Sequence, residues 1–324
     1  MVTGSGPADP GRGNALGPIV GPRAGPAATV AQLPAAGPAA AAPLHVGDTT
    51  VHWRRRLAYV VMIAYAILMF TPFAWSIITA FKTEADSFRL TVIPEPITTQ
   101  AWQYLFQRLD PSIFRLFANS FGIAIVATLS NLVLASLAGY AFARLRFPGR
   151  EILFLVVLAT LMIPDQLRLV PVYLIMNGIG LTRGPGQYLA VVLVSAIGAA
   201  NIFLMRQYFL SIPRDIEEAA RIDGAGFFTT FWRVMLPLAT PALSAVAILQ
   251  FQGTWNAYFW PLILLRDQAF FTVPLALGGF RTLFQTDYPP LMAMVVLATL
   301  PVLALYIFFQ RYFVEGIAAS GVKG

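Results

Sequence analysis

Leu57-Ala-Tyr-Val-Val-Met-Ile-Ala-Tyr-Ala-Ile-Leu-Met-Phe-Thr-Pro-Phe-Ala-Trp-Ser-Ile-Ile-Thr-Ala80 follows directly on Arg54-Arg55-Arg56. No charged side chain interrupts it. It exceeds the ~20 residues that a helix rising ~1.5 Å per residue needs to cross ~30 Å of hydrocarbon. Further runs of this character lie at about 117–143, 151–176, 187–210, 235–265 and 289–313, the third and fifth carrying polar residues and prolines. Backbone groups in lipid must pair within the protein, so such runs form helices or a closed barrel. These runs are continuous rather than alternating, which excludes the barrel. The sequence therefore predicts an all-α integral membrane fold with six transmembrane helices over residues 51–324.

Composition agrees. The chain is 57% hydrophobic and 11% charged, whereas soluble domains carry ~25% charged residues. It holds no cysteine, and its two histidines, His45 and His52, both precede Leu57. Disulfides, Cys-ligated metals, a thiol nucleophile and histidine chemistry inside the spans are thereby excluded, and no metal site is expected. Residues 1–50 contain 12 Ala, 9 Gly and 8 Pro. Such a segment buries too little apolar surface to offset its ordering entropy, so a disordered tail is expected. Prolines at 34, 38 and 43 interrupt the apolar core a signal peptide requires.

An even number of spans puts both ends of the chain on one side. If that side is the cytoplasm, the inner segments (1–56, 144–150, 206–233 and 311–324) hold 14 of the 22 Lys and Arg. The outer side holds eight, against seven acids. Basic residues collect inside, as membrane insertion favours. The net charge of +7 is thus read as orientation, not as nucleic-acid binding. Within the second run, Ala135, Gly139 and Ala143 recur at every fourth position, a spacing that admits a second helix closely.

Between the fourth and fifth runs lies Ser211-Ile-Pro-Arg-Asp-Ile-Glu-Glu-Ala-Ala-Arg-Ile-Asp-Gly-Ala-Gly226. Pro213 suits the first turn of a helix. Asp215, Glu217 and Glu218 suit its N-terminal half through the dipole, and Gly224 can end it in a left-handed conformation. Ile216, Ala219, Ala220 and Ile222–Asp223 give it a small apolar surface. A helix this short is marginal in water, so either its own spans or a separate protein must pack against it.

The run Glu218-Ala219-Ala220, then Asp223-Gly224-Ala225, then Leu236-Pro237 resembles the EAA loop of bacterial ABC importer permeases. More narrowly, the chain resembles the six-span partner subunit of the maltose-type carbohydrate permeases over about residues 55–324. Further matching pieces are Gly139-Tyr-Ala-Phe-Ala-Arg-Leu-Arg-Phe-Pro-Gly149, Thr254-Trp-Asn256 with Trp260-Pro261, Phe81-Lys-Thr-Glu-Ala-Asp-Ser-Phe88, and Tyr312-Phe-Val-Glu-Gly-Ile-Ala-Ala-Ser-Gly-Val-Lys-Gly324.

The resemblance implies a cytoplasmic coupling helix that docks in a cleft of an ATPase subunit, with Glu217, Glu218, Ala219, Ala220, Asp223 and Gly224 as the contact. It further implies a second homologous permease forming a heterodimer, an ATPase dimer carrying ATP and Mg, and an extracytoplasmic substrate-binding protein. The loop at about Arg266–Tyr288 would then reach toward that binding protein. The location implied is the bacterial inner membrane, in contact with lipid.

The chain itself has no G-x-x-x-x-G-K-[ST] phosphate loop, and Lys82 and Lys323 are its only lysines. No cofactor is expected on it, and no catalytic residue. Asp165 and Arg168 stand three apart between Pro164 and Pro171, so they form either a gate or a structural pair. Asn119, Ser120, Asn131, Asn201, Gln250, Gln252, Trp255, Asn256 and Tyr258 are candidates for a polar pathway. Aromatic faces with amides suit a sugar, which singles out Trp255, Asn256 and Tyr258. The same residue types also form interfacial belts and join helices. The family commonly has an acid after Trp-Asn, where this chain has Ala257.

Two other classes compete with an importer of a disaccharide, oligosaccharide or glycerol phosphate compound. A stand-alone secondary transporter would draw on an ion gradient, and uptake that survives uncouplers but not ATP depletion excludes it. An intramembrane enzyme lacks paired carboxylates suited to acid–base work.

Overall fold

The computed structural model describes residues 49–280 and 286–321, with side-chain surroundings for 53–280 and 286–309. The tail expected over 1–50 lies outside the described residues except at its last two. The chain divides into two units between Tyr59 and Val60. The described part of the first is the opening of a helix, and the packing below is that of the second.

The described residues build an all-helical protein. Among the described residues, three helices are long and apolar enough to cross a membrane, over Trp53–Thr79, Ile113–Arg144 and Tyr288–Phe309. They belong to α1 (Thr49–Thr79) and α2 (Ile113–Arg144), and to a final helix introduced below. The remaining runs are bent pairs. α3 (Arg150–Ala159), extended by a 3₁₀ turn at Thr160–Met162, meets α4 (Asp165–Gly178) at 105°. The cause is Pro164, whose ring pushes Ile163 into extended backbone (φ −89°, ψ 110°). α5 (Gly186–Ser195) and α6 (Ala199–Ser211) meet at 46°, with Gly198 extended between them.

After α7 (Arg214–Ile222), α8 spans Phe227–Leu238 and meets α9 (Thr240–Trp255) at 75°. Pro237 lies just before that bend and Pro241 just after it. Each lacks the N–H that a continuous helix would use. The single run expected at 235–265 is thus divided. Its start belongs to α8, α9 ends at Trp255, and α10 (Phe259–Leu264) follows a short turn. α11 (Val273–Gly279) and α12 (Tyr288–Gly321) follow, and residues 281–285 between them lie outside the described set.

α2 is the axis of the packing. Toward its C-terminal end, Ala135, Tyr140 and Ala143 share a core with Ile202, Met205 and Phe209 of α6 and with Phe231 and Met235 of α8. A Cβ on Gly139 would stand 2.6 Å from the Met205 Cβ and 2.9 Å from the Arg206 nitrogen. Only glycine allows that approach, so the fourfold spacing of small residues is a helix contact. At the other end, Ile113 and Leu116 pack with Leu105, Trp255 and Met294.

Candidate functional site

One end of the bundle is built around α7. Pro213 is its N-cap, one position before the helix rather than in its first turn as the sequence reading places it. Gly224 has φ +83°. The Gly224 N–H donates to Arg221 O at 3.0 Å and the Ala225 N–H to Ala220 O at 2.9 Å. These two bonds are a Schellman motif, which satisfies the carbonyls left over at the helix end.

α7 presents two faces. Glu217 is buried, while Glu218, Ala219, Ile222 and Asp223 are exposed and Ala220 is half-buried. Glu217 Oε1 lies 3.1 Å from Arg144 Nε, with side chains 8% and 4% exposed. The two atoms meet as opposite charges without the alignment of a hydrogen bond. The Arg144 guanidinium also donates to the carbonyl of Phe209, 2.5 Å away, and to that of Ile212. One side chain at the end of α2 thus reaches the last turn of α6, the linker after it, and α7. A packed aromatic group lies behind it: Tyr140 is 5.5 Å from Phe209, 5.4 Å from Phe227 and 5.0 Å from Phe231.

Of the six residues the resemblance implies as the contact, Glu218, Ala219, Asp223 and Gly224 therefore lie on the open face. Glu217 turns its carboxylate inward. Ile222, which composition placed in an apolar surface, is 86% exposed. Sequence reasoning gave no role to Arg144, although it lies within the quoted Gly139–Gly149 motif. The available signal was an arginine closing a long apolar helix, where the carbonyls of neighbouring helix ends need donors.

The candidate pathway residues divide into three groups. Trp255 is 2% exposed, donates from Nε1 to Ala298 O at 3.1 Å, and lies 4.8 Å from Phe121 and 6.0 Å, stacked, from Phe251. Asn119 is buried, and its Nδ2 donates to Ala269 O at 3.0 Å and Phe271 O at 2.9 Å. It accepts from the Tyr188 hydroxyl. Asn131, fully buried, accepts from Asn201 Nδ2 at 2.9 Å, and that amide also donates to Gln250 Oε1 at 3.0 Å. Within this chain these amides join helices.

The third group is open. Asp165 and Arg168 form an ion pair at the 105° bend, about half exposed. They share a cleft of about 390 Å³ with Ser195, Gln250 and Tyr258. The fold thereby brings together the charged pair and the tyrosine that the sequence offered separately. Asn256, at the C-terminal cap of α9, is exposed.

Comparison with known proteins agrees with this architecture. Residues 132–318 match the family described as binding-protein-dependent transport system inner membrane component, and the chain belongs to it. Its relatives include the arabinooligosaccharides transport system permease protein AraQ of Halalkalibacterium halodurans, 35% identical over 83% of this chain and 97% of that protein. They also include the diacetylchitobiose uptake system permease protein NgcG of Streptomyces coelicolor, 31% identical over 79% of this chain and 84% of that one. The sn-glycerol-3-phosphate transport system permease protein UgpE of Yersinia enterocolitica is 30% identical over 81% and 95%. A chain from a bacterial ABC transporter involved in the import of the acidic polysaccharide alginate shares the fold. Its TM-score is 0.70 and its identity 24%, covering 84% of this chain and all of that one.

Proposed function

We propose that this chain is one of two permease subunits of an ATP-binding-cassette importer, forming half of the path for a sugar. Each bent pair counts as one span, giving six with both ends of the chain in the cytoplasm. α7 is the coupling helix between spans four and five. ATP and Mg are bound and hydrolysed on a partner ATPase dimer, and a second homologous permease completes the path. An extracytoplasmic binding protein delivers the solute.

The observation that carries this reading is the open face of α7. Ile222 is 86% exposed beside Ala219, an apolar anchor flanked by the carboxylates of Glu218 and Asp223. Small and apolar groups allow close seating in a cleft, and carboxylates take charge-assisted bonds from basic groups there. The saccharide names of relatives support a sugar, with a glycerol phosphate compound as the alternative. In the Asp165–Arg168 cleft, a tyrosine ring, a glutamine amide and paired charges offer the hydroxyl-binding groups a sugar needs.

The test is uptake and ATP hydrolysis by the full transporter in vesicles. Glu218→Lys and Gly224→Pro are expected to cut solute taken up per ATP by about tenfold, within the range for residues that carry coupling. Membrane insertion should be retained. Normal uptake in both variants refutes the assignment.

A further inference from the structure

We propose that Arg144 is the positioning residue that ties α7 to the spans, carrying the displacement of α7 into the α2–α6 pair. This inference rests on the coupling role given to α7 above. Three observations converge on it. The guanidinium occupies the C-terminal ends of two helices at once: Arg144 is the last residue of α2, and its acceptors are Phe209 O in the last turn of α6 and Ile212 O just beyond it. Carbonyls at a helix end carry partial negative charge, which a cation offsets. Both of those bonds come from Nη2, and a second nitrogen, Nε, faces Glu217.

The second observation is burial. Glu217 and Arg144 are 8% and 4% exposed, whereas Arg150–Glu151, Arg206–Glu151 and Arg168–Asp165 each leave a partner about half exposed. A buried charge that loses its partner is strongly disfavoured, so α7 cannot leave Arg144 without a penalty. An exposed pair would separate freely.

The third is the kind of contact. Toward α6 and its linker the guanidinium makes two directed hydrogen bonds, but toward α7 its Nε makes an ion pair without hydrogen-bond alignment. Charge attraction falls off slowly with angle, whereas hydrogen bonds weaken steeply off axis. The arrangement is fixed on the span side and tolerant of rotation on the α7 side. α7 can therefore pivot in a moving cleft while its thrust reaches α2 and α6, whose backbones meet at Gly139 and Met205. Nη2 and Nε hold the carbonyls and Glu217 from two separate positions of one rigid plane, whereas a lysine ammonium is a single nitrogen that must choose one position.

The experiment compares Arg144→Lys, the double variant Arg144→Met with Glu217→Met, and Gly224→Pro in the complete transporter. It is reconstituted with its ATPase and binding protein, and solute taken up is measured per ATP hydrolysed. Removing both charges together avoids a lone buried ion, so the double variant is expected to assemble in near-normal amount. Its transport per ATP is expected to fall about two- to thirtyfold, the range for residues on a coupling route. Arg144→Lys should lie between the double variant and the unaltered chain. A double variant that assembles and keeps the normal ratio overturns the proposal. So does one that assembles less but keeps the ratio, because that is a purely structural role. If Gly224→Pro lowers the ratio and the double variant does not, only the tether fails. If neither does, the coupling role of α7 fails with it.

Discussion

α1 and α2 have the same mean hydropathy of 2.0 over their most apolar windows, yet none of the α1 window is buried and 39% of the α2 window is. The property that sends a helix into lipid is therefore not the one that packs it. α2 carries a line of small and polar groups, including Asn119, Ser120, Thr128, Asn131, Ser136 and Gly139, all on its buried face. The α1 window is apolar around its circumference, and Val60, Met62, Ile63, Ile67 and Phe70 are each more than half exposed. Since lipid is as apolar as leucine, helices associate in it through close approach and hydrogen bonds. α2 has the groups for both.

The comparison can be broken most sharply at Gly139. Gly139→Leu forces a side chain into the Met205 contact and should cost about 3 kcal/mol, the upper part of the range for overpacking. A clear fall in the unfolding midpoint of detergent-solubilised protein would register it, and an unchanged midpoint would remove Gly139 from the helix contact. Next is Asn119→Ala, which deletes two bonds to the backbone of Ala269 and Phe271. About 1.5 kcal/mol is expected, near the maximum measured for polar contacts between membrane helices. Faster hydrogen exchange at 269–273 would follow the lost bonds.

Lys82→Ala sharpens the picture just beyond the C-terminal end of α1. Lys82 is 1% exposed, donates to Arg89 O at 2.9 Å and lies 4.9 Å from the Trp75 ring centroid. Losing the hydrogen bond should cost about 1 kcal/mol, and Trp75 fluorescence should shift with it. The smallest effect belongs to Ala66→Leu on the exposed face of α1. Less than about 0.5 kcal/mol is expected, and a larger shift in midpoint would mean that this face already packs against protein.

Much of this was legible because it follows from local chemistry. The bounds of α7 come from Pro213 and Gly224 acting on their own backbone, so residues 213–224 were delimited closely, apart from the one-position shift at Pro213. The bend at Pro164 has the same kind of cause, a proline acting on the residue before it. Trp255 is another matter. Its neighbours Phe117, Phe121 and Ala298 come from distant helices, and no local pattern distinguishes a tryptophan that lines a path from one that fills a core. Glu217 and Glu218 are adjacent and chemically alike, yet one is buried and the other exposed. Only the position of Arg144 separates them.

The sequence by itself determined helicity, the apolar runs and the two ends of α7. Hydropathy, backbone sterics and glycine's access to positive φ all act within a few residues. Tertiary structure alone decided which side of α7 faces outward, which amides bind helices together, and that Asp165, Arg168 and Tyr258 line one cleft. Those outcomes depend on groups such as Arg144 and Glu217, far apart along the chain, whose interaction exists only once folding has brought them into contact and excluded water.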